Sequence, residues 1–211
     1  MAPKRLLLPL PDYERIFRVM HSTIDERSHT GRACIFFAMV GAAILRKYYK
    51  LNAVPVAGAA AFAVNANDST VLTFGRLEDS RLISASDAFH CWIECNGFAI
   101  DFMAPIFQES MRSSGHQNTV PRRMFQRRLE HMAPTLDLTH EGAFVLLPDA
   151  QLTQATIDHF NARNVNADFA NICTEWFVRP PKRIAENLNI TDDLGKVTTL
   201  TLHGPQIDGV W

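Results

Sequence analysis

The sequence predicts an α+β fold: a buried helix near the N-terminus packs on an antiparallel β-sheet, and additional helices follow toward the C-terminus. Three observations predict it. The run from Ala33 to Leu45 is apolar almost throughout and carries no polar stripe, which describes a helix buried on all sides. Asn96-Gly97 separates two β-prone runs, His90 to Cys95 and Phe98 to Asp101, and a two-residue type I′ turn needs positive φ at both positions. Helical spacing before the apolar run and strand-like runs after it give a helix followed by an antiparallel meander.

Taken in chain order, apolar residues at Ile16, Phe17, Met20 and Ile24 put a first helix over the stretch from Pro11 to Ile24. Ser28, Thr30 and Gly31 are candidate caps for the second helix, so Cys34 falls in its first turn. Ala53 to Val64 and Thr70 to Phe74 read as strands around the turn Asn65-Ala66-Asn67-Asp68. The run Val56-Ala57-Gly58-Ala59-Ala60-Ala61 is unusual for a strand. Small side chains there permit close approach of a substrate or of the central helix, and simple tight packing explains them equally well.

Counting back from the Asn-Gly turn, Cys95 faces Phe98, Glu94 faces Ala99, Ile93 faces Ile100 and Trp92 faces Asp101. Side chains alternate between sheet faces, so His90, Trp92, Glu94 and Asp101 share one face and Cys91, Ile93 and Cys95 the other. Beyond Asp101 a helix is expected near Ile106 to Met111, then a loop from Arg112 to Asn118 that borders the site. The arginine-rich segment Pro121 to Leu129 reads as the solvated face of an amphipathic helix with Met124, Phe125 and Leu129 inward, a carboxylate or phosphate site being the alternative. A strand at Ala143 to Leu147, helices at Leu152 to Asn161 and Asp168 to Phe177, and a strand near Val197 to His203 complete a single domain over residues 1–211.

Composition narrows the function classes. With 211 residues, 47% apolar content and a formal net charge of -1, the chain carries no nucleic-acid footprint. The apolar run within Met1 to Pro11 is short and broken by prolines, unlike a signal peptide, and no other apolar stretch approaches the ~20 residues of a membrane span. A cytoplasmic protein without a membrane partner is expected. Four cysteines do not resemble a disulfide framework, and Cys91 and Cys95 on one strand cannot easily bridge. Alternation sends His90 away from both, and no second Cys/His pair stands at zinc spacing, so no metal or other cofactor is expected; Cys91 and Cys95 read as core packing behind the site.

The chemistry-bearing residues are three. Diagonal cross-strand neighbours lie roughly 7–8 Å apart, so the Asp101 carboxylate reaches the His90 imidazole. Cys34, 56 residues before His90, is the nucleophile candidate: the uncompensated N–H groups of a first helical turn favour a thiolate, and a protonated His90 lowers the thiol pKa further. The plainer alternative makes Cys34 one more small core residue. Trp92 is read either as a ring that shields the pair from water or as a core tryptophan, Thr30 and Gly31 as supporting residues beside the nucleophile, and Glu94 as a surface group.

Gly31 to Cys34 opening an apolar helix resembles the nucleophile block of the papain-like cysteine-enzyme superfamily, and Leu45 to Gly58 resembles the helix end and following strand of its transglutaminase-like domains. His90 to Glu94, a turn, then Ile100-Asp101 resembles their histidine and aspartate strands. The likeness spans residues 30–105 and is nearest to a bacterial group in the transglutaminase-core and arylamine-acetyltransferase branch. It implies a papain-like or transglutaminase-like domain with Cys34 as nucleophile, His90 as general base and acid, and Asp101 orienting the imidazole. One departure concerns the oxyanion. No Gln or Asn occurs between Met1 and Cys34, so the backbone N–H of Cys34 is the natural donor.

The reading that follows is a cysteine-dependent acyl-transfer enzyme, a peptidase or amidase or a transglutaminase-like enzyme, acting on a peptide, amide or acyl small molecule through a thioacyl intermediate. A catalytically silent binding or structural protein on the same fold is the alternative, and a redox-sensing thiol at Cys34 a third. Nothing in the sequence fixes an oligomeric state.

Overall fold

One long strand, β1 (Ala53–Asn65), organises the sheet of the computed structural model, which describes residues 6–24, 33–65 and 69–211. Ahead of it come α1 (Leu10–Ile24) and α2 (Cys34–Ile44). Pro11 lies in the first turn of α1, where its missing N–H costs nothing, and the helix buries Tyr13, Ile16, Phe17 and Met20. Helix α2 is enclosed by strand and helices, as its uniform apolarity requires, and continues as a π-helical turn over Leu45–Tyr49. It stops where Lys50 turns left-handed at φ 58.

The rest of the chain supplies β2 (Thr70–Phe74), the hairpin β3 (Arg76–Glu78) and β4 (Arg81–Ile83), β5 (His90–Cys95), β6 (Phe98–Asp101) and α3 (Phe107–Ser113). Then follow β7 (Phe125–Arg128), β8 (Phe144–Pro148), α4 (Ala150–Asn161), α5 (Asn164–Trp176) and a hairpin of β9 (Asn187–Thr191) with β10 (Val197–Thr201). Asp149 caps α4 by accepting the Leu152 N–H at 2.9 Å. The fold is α+β, as expected, with an antiparallel main sheet in the order β2-β1-β5-β6-β7 and β8 also on β1. No helix among the described residues is long and apolar enough to cross a membrane.

Strand β1 serves three partners: β5 pairs with Ala53 to Gly58, β2 with Ala60 to Asn65, and β8 with Gly58 to Phe62. Gly58 pairs with His90 on one edge and Pro148 on the other, so the sheet forks there. A Cβ at position 58 would stand 2.1 Å from the Leu147 carbonyl oxygen. The small-residue run is therefore explained by backbone approach of a neighbouring strand. Gly41 plays the matching part in α2, where a Cβ would fall 2.6 Å from the Phe102 ring and 2.9 Å from Ile93.

The β5–β6 register is the expected one, with Ile93 on Ile100, Glu94 on Ala99 and Cys95 on Phe98, and both turn residues have positive φ, 49 at Asn96 and 78 at Gly97. The segment Pro121 to Leu129 departs from expectation: it is no helix but the sheet-edge strand β7 followed by a short 3-10 turn. The outer edge of β6 needs a hydrogen-bonding partner, and Phe125 fits between Phe62 and Phe144 at ring distances of 5.0 and 5.2 Å. Three of the four arginines in this segment have local partners. Arg122 pairs with Glu109, Arg123 with Glu141, and Arg128 lies over the Phe98 ring.

Gly58→Ala forces β8 away from β1 and is expected to cost about 3 kcal/mol, a fall of about 6–12 °C in Tm for a chain of this size. Thermal unfolding followed by circular dichroism reads it, and an unchanged Tm would contradict the close β1–β8 approach.

Candidate active site

His90 opens β5 and Asp101 closes β6, so the hairpin brings the two strand ends together. Their side chains are 0% and 2% exposed, and His90 Nε2 stands 2.6 Å from Asp101 Oδ2. The other carboxylate oxygen accepts the Met103 N–H at 2.8 Å. The main-chain carbonyl of Asp101 accepts the Tyr13 hydroxyl from α1, whose ring stacks on Phe102 at 4.6 Å. Burial and then the Asp101 charge push the Tyr13 pKa well up, so it stays a protonated donor.

Aromatic rings pack around the imidazole. Phe74 of β2 stacks on it at 4.2 Å, while Phe62 of β1 and Phe107 of α3 meet it at 5.7 and 5.9 Å. Trp92, two residues along β5 from His90, is fully buried and donates its indole N–H to Glu94 at 3.2 Å. The shielding rings are remote in sequence, which is why local pattern reading missed them. His90 Nδ1 is buried and makes no hydrogen bond of good geometry. The Cys34 thiol is the group beside it, near enough for each to set the other's protonation.

Cys34 is the first residue of α2, and the preceding cap position, Ala33, offers no side-chain acceptor. Ser28, Thr30 and Gly31, the expected caps and supporting residues, lie outside the described residues. Among the described residues no side chain caps the first-turn N–H groups around Cys34. The Cys34 pKa is lowered to about 5. The largest cause is hydrogen bonding with the Cys91 thiol; burial opposes it, the hydrogen bond and charge of His90 add to it, and the Asp101 charge opposes it. For His90, burial is the largest influence and favours the neutral ring, but the charge and hydrogen bond of Asp101, joined by Cys34, outweigh it and raise the pKa to about 9. Between those values the site holds a thiolate and an imidazolium.

The other thiols do not ionise. Cys91 is pushed well up by the Cys34 hydrogen bond and then by burial, Cys95 by burial, and Cys173 by burial in spite of its contact with Thr23 at 3.2 Å. Cys91 is buried in the main hydrophobic core, as expected of it. Alternation separates the side chains of His90 and Cys91 along β5, and Cys34, the first residue of α2, is influenced by both.

Cys34 is 9% exposed, and it borders a cleft of about 550 Å³. Phe74 and Phe89 form one side of the cleft, Ser110 and Met111 of α3 another, with Asp87 and His116 also lining it. The loop after α3 therefore borders the cleft, as its position in the sequence suggested. Among the described residues no three His, Cys, Asp or Glu side chains converge as metal ligands.

Asp101→Asn keeps the shape of the pair and removes the charge that holds the imidazolium. The midpoint of Cys34 alkylation against pH is expected to rise from about 5 toward the ~8.5 of a free thiol. Iodoacetamide labelling read by mass spectrometry measures it; an unmoved midpoint would mean that Asp101 does not act through His90.

Over residues 9–211 the chain matches the family described as "Protein of unknown function (DUF2026)". A crystal structure described as genomics APC5867 is similar over 100% of both chains, with 35% identity and a TM-score of 0.85. No curated protein matches the chain. The chain belongs to the DUF2026 family.

Proposed function

We propose that this protein is a cysteine-dependent acyl-transfer enzyme, a peptidase, amidase or transglutaminase-like enzyme, with Cys34 as nucleophile, His90 as general acid and base, and Asp101 holding the imidazole. A papain-like or transglutaminase-like ancestry belongs to the same proposal and is supported by the order of a cysteine-led helix, a histidine strand and an aspartate strand. The observation that carries it is the buried His90–Asp101 pair at 2.6 Å with the remaining imidazole nitrogen unpaired beside a thiol that opens on a cleft. A purely structural ion pair has no need of the thiol or of the opening.

The chemistry runs as follows. The Cys34 thiolate attacks the carbonyl carbon of an amide, ester or thioester, and the carbonyl electrons move to oxygen. The N–H groups of the first turn of α2, that of Cys34 foremost, are the proposed donors to that oxyanion. As the tetrahedral centre collapses, the Nδ1–H of His90 gives its proton to the leaving amine, alcohol or thiol, and a thioacyl group remains on Cys34. The neutral imidazole then takes a proton from water or an acceptor amine, which attacks the thioester and releases the product. Asp101 keeps Nε2–H pointed at itself throughout, so that Nδ1 is the nitrogen that exchanges the proton.

Activity is expected to follow a bell in pH. It rises as Cys34 ionises near pH 5 and falls as His90 loses its proton near pH 9. A screen of peptides, amines and acyl thioesters supplies the substrate. Cys34→Ala should abolish turnover, and His90→Ala should reduce it at least about a hundredfold. Turnover that survives Cys34→Ala would overturn the assignment. So would a native Cys34 that alkylates only near its unperturbed pKa of ~8.5 or after unfolding.

A further inference from the structure

The cleft beside Cys34 offers far more room than an attacking water needs. Its volume, about 550 Å³, lies within the roughly 300–1,000 Å³ of sites that hold small organic ligands. An apolar wall of this cleft begins at the reacting groups. Ile35 follows the thiol in the chain, Phe89 precedes His90, Phe74 stacks on that imidazole at 4.2 Å, and Met103 gives its N–H to Asp101 at 2.8 Å. Leu72, two residues before Phe74 and so on the same side of β2, extends the wall. Ile35, Leu72, Phe74 and Phe89 are half-buried, which leaves part of each open to whatever occupies the space. The polar lining residues Ser86, Asp87, Ser114 and His116 are exposed and form a rim. Asp87 is the one fixed charge among the described lining residues, and an Arg76 nitrogen stands 2.8 Å from each of its carboxylate oxygens. No charge along the described lining is thus left to answer a charged substrate group.

We propose that the acyl group transferred to Cys34 is uncharged and apolar, an aliphatic or aromatic acyl chain larger than acetyl that lies along the wall of Ile35, Leu72, Phe74 and Phe89. The inference rests on the reading of Cys34 as the acylated thiolate and names the class of donor it takes, an ester, thioester or amide of such an acid. In the acylation step an S–C bond forms to the donor's carbonyl carbon. The bond from that carbon to the leaving alcohol, thiol or amine breaks, and His90 supplies the proton the leaving group needs. Apolar surface of the chain and of the wall leaves water together, which favours binding in proportion to the area covered. A carboxylate or ammonium on the same chain would lose hydration against this wall with no described partner to replace it.

The experiment compares electrophiles that differ only in the chain they carry: iodoacetamide, N-hexyliodoacetamide, iodoacetamidohexanoic acid and N-aminohexyliodoacetamide. Alkylation of Cys34 in the native chain at pH 7 is followed by mass spectrometry of tryptic peptide 33–46, and each rate is divided by that of the same reagent with glutathione. The hexyl reagent is expected to outpace iodoacetamide at least about tenfold, a factor that burial of two methylenes already supplies. Its rate should saturate with concentration, and both charged reagents should fall well short of it. Leu72→Asn is expected to bring the hexyl-to-iodoacetamide ratio down toward one. In turnover, p-nitrophenyl hexanoate should show a higher kcat/KM than p-nitrophenyl acetate. Equal normalised rates for all the reagents, a charged reagent faster than the hexyl one, or acetate preferred over hexanoate overturns the apolar acyl class and leaves the thiolate reading standing. A Cys34 inert to every reagent at pH 7 means that the thiolate reading itself has failed and takes the acyl assignment with it.

Discussion

The structure turns on a buried ion pair between one histidine and one aspartate. Burying either charge alone is costly, and a buried pair persists only where geometry is good and the remaining polar atoms are satisfied. Here the carboxylate's second oxygen takes the Met103 amide and the aspartate carbonyl takes the Tyr13 hydroxyl, so α1, β6 and the turn after β6 all bind the same residue. The imidazole is clamped between rings from β1, β2 and α3. One nitrogen is left over, and the molecule sets Cys34 beside it. Removal of the thiol would leave a buried nitrogen with no polar neighbour to answer it, which ties the packing of α2 to the charge state of β5.

The sheet makes this arrangement possible by forking. Because β1 serves β5 along its first half and β2 along its second, His90 lies where the two partners part, and Phe74 of β2 comes down on its ring. Gly58 sits opposite His90 at that point and admits the backbone of β8 on the other edge. An ordinary side chain there would push β8 away from β1 at the position paired with His90. Backbone packing and the proposed chemistry therefore share one residue position.

Much of this was legible in the sequence, for physical reasons that differ by element. Asn96-Gly97 dictates a two-residue turn, and that turn fixes the β5–β6 register, which places Asp101 within reach of His90. The unbroken apolarity of α2 dictates its burial. Neither signal extends to non-local packing: the rings that pack on His90 come from three other elements, which no local pattern names. The Pro121 to Leu129 segment carries charges that suit a helix face, but the open edge of β6 and the pocket for Phe125 claim it as a strand. The short strands β3, β4 and β9 are largely exposed and carry little apolar pattern to read.

Four cysteines share one fold and only one is set to ionise: burial raises Cys95 and Cys173, Cys34 and then burial raise Cys91, and the neighbours of Cys34 outweigh its own burial. The account stands on the charge of His90, because the thiolate, the proton donor and the role of Asp101 all follow from it. Nitrogen-15 NMR of histidine-labelled protein, with the His90 signals assigned by their loss in His90→Ala, reads that charge directly. The account predicts a doubly protonated imidazolium at pH 7 that titrates near 9, with a lower value in Cys34→Ala. A neutral His90 ring at pH 7, titrating near the ordinary ~6.5, would contradict it.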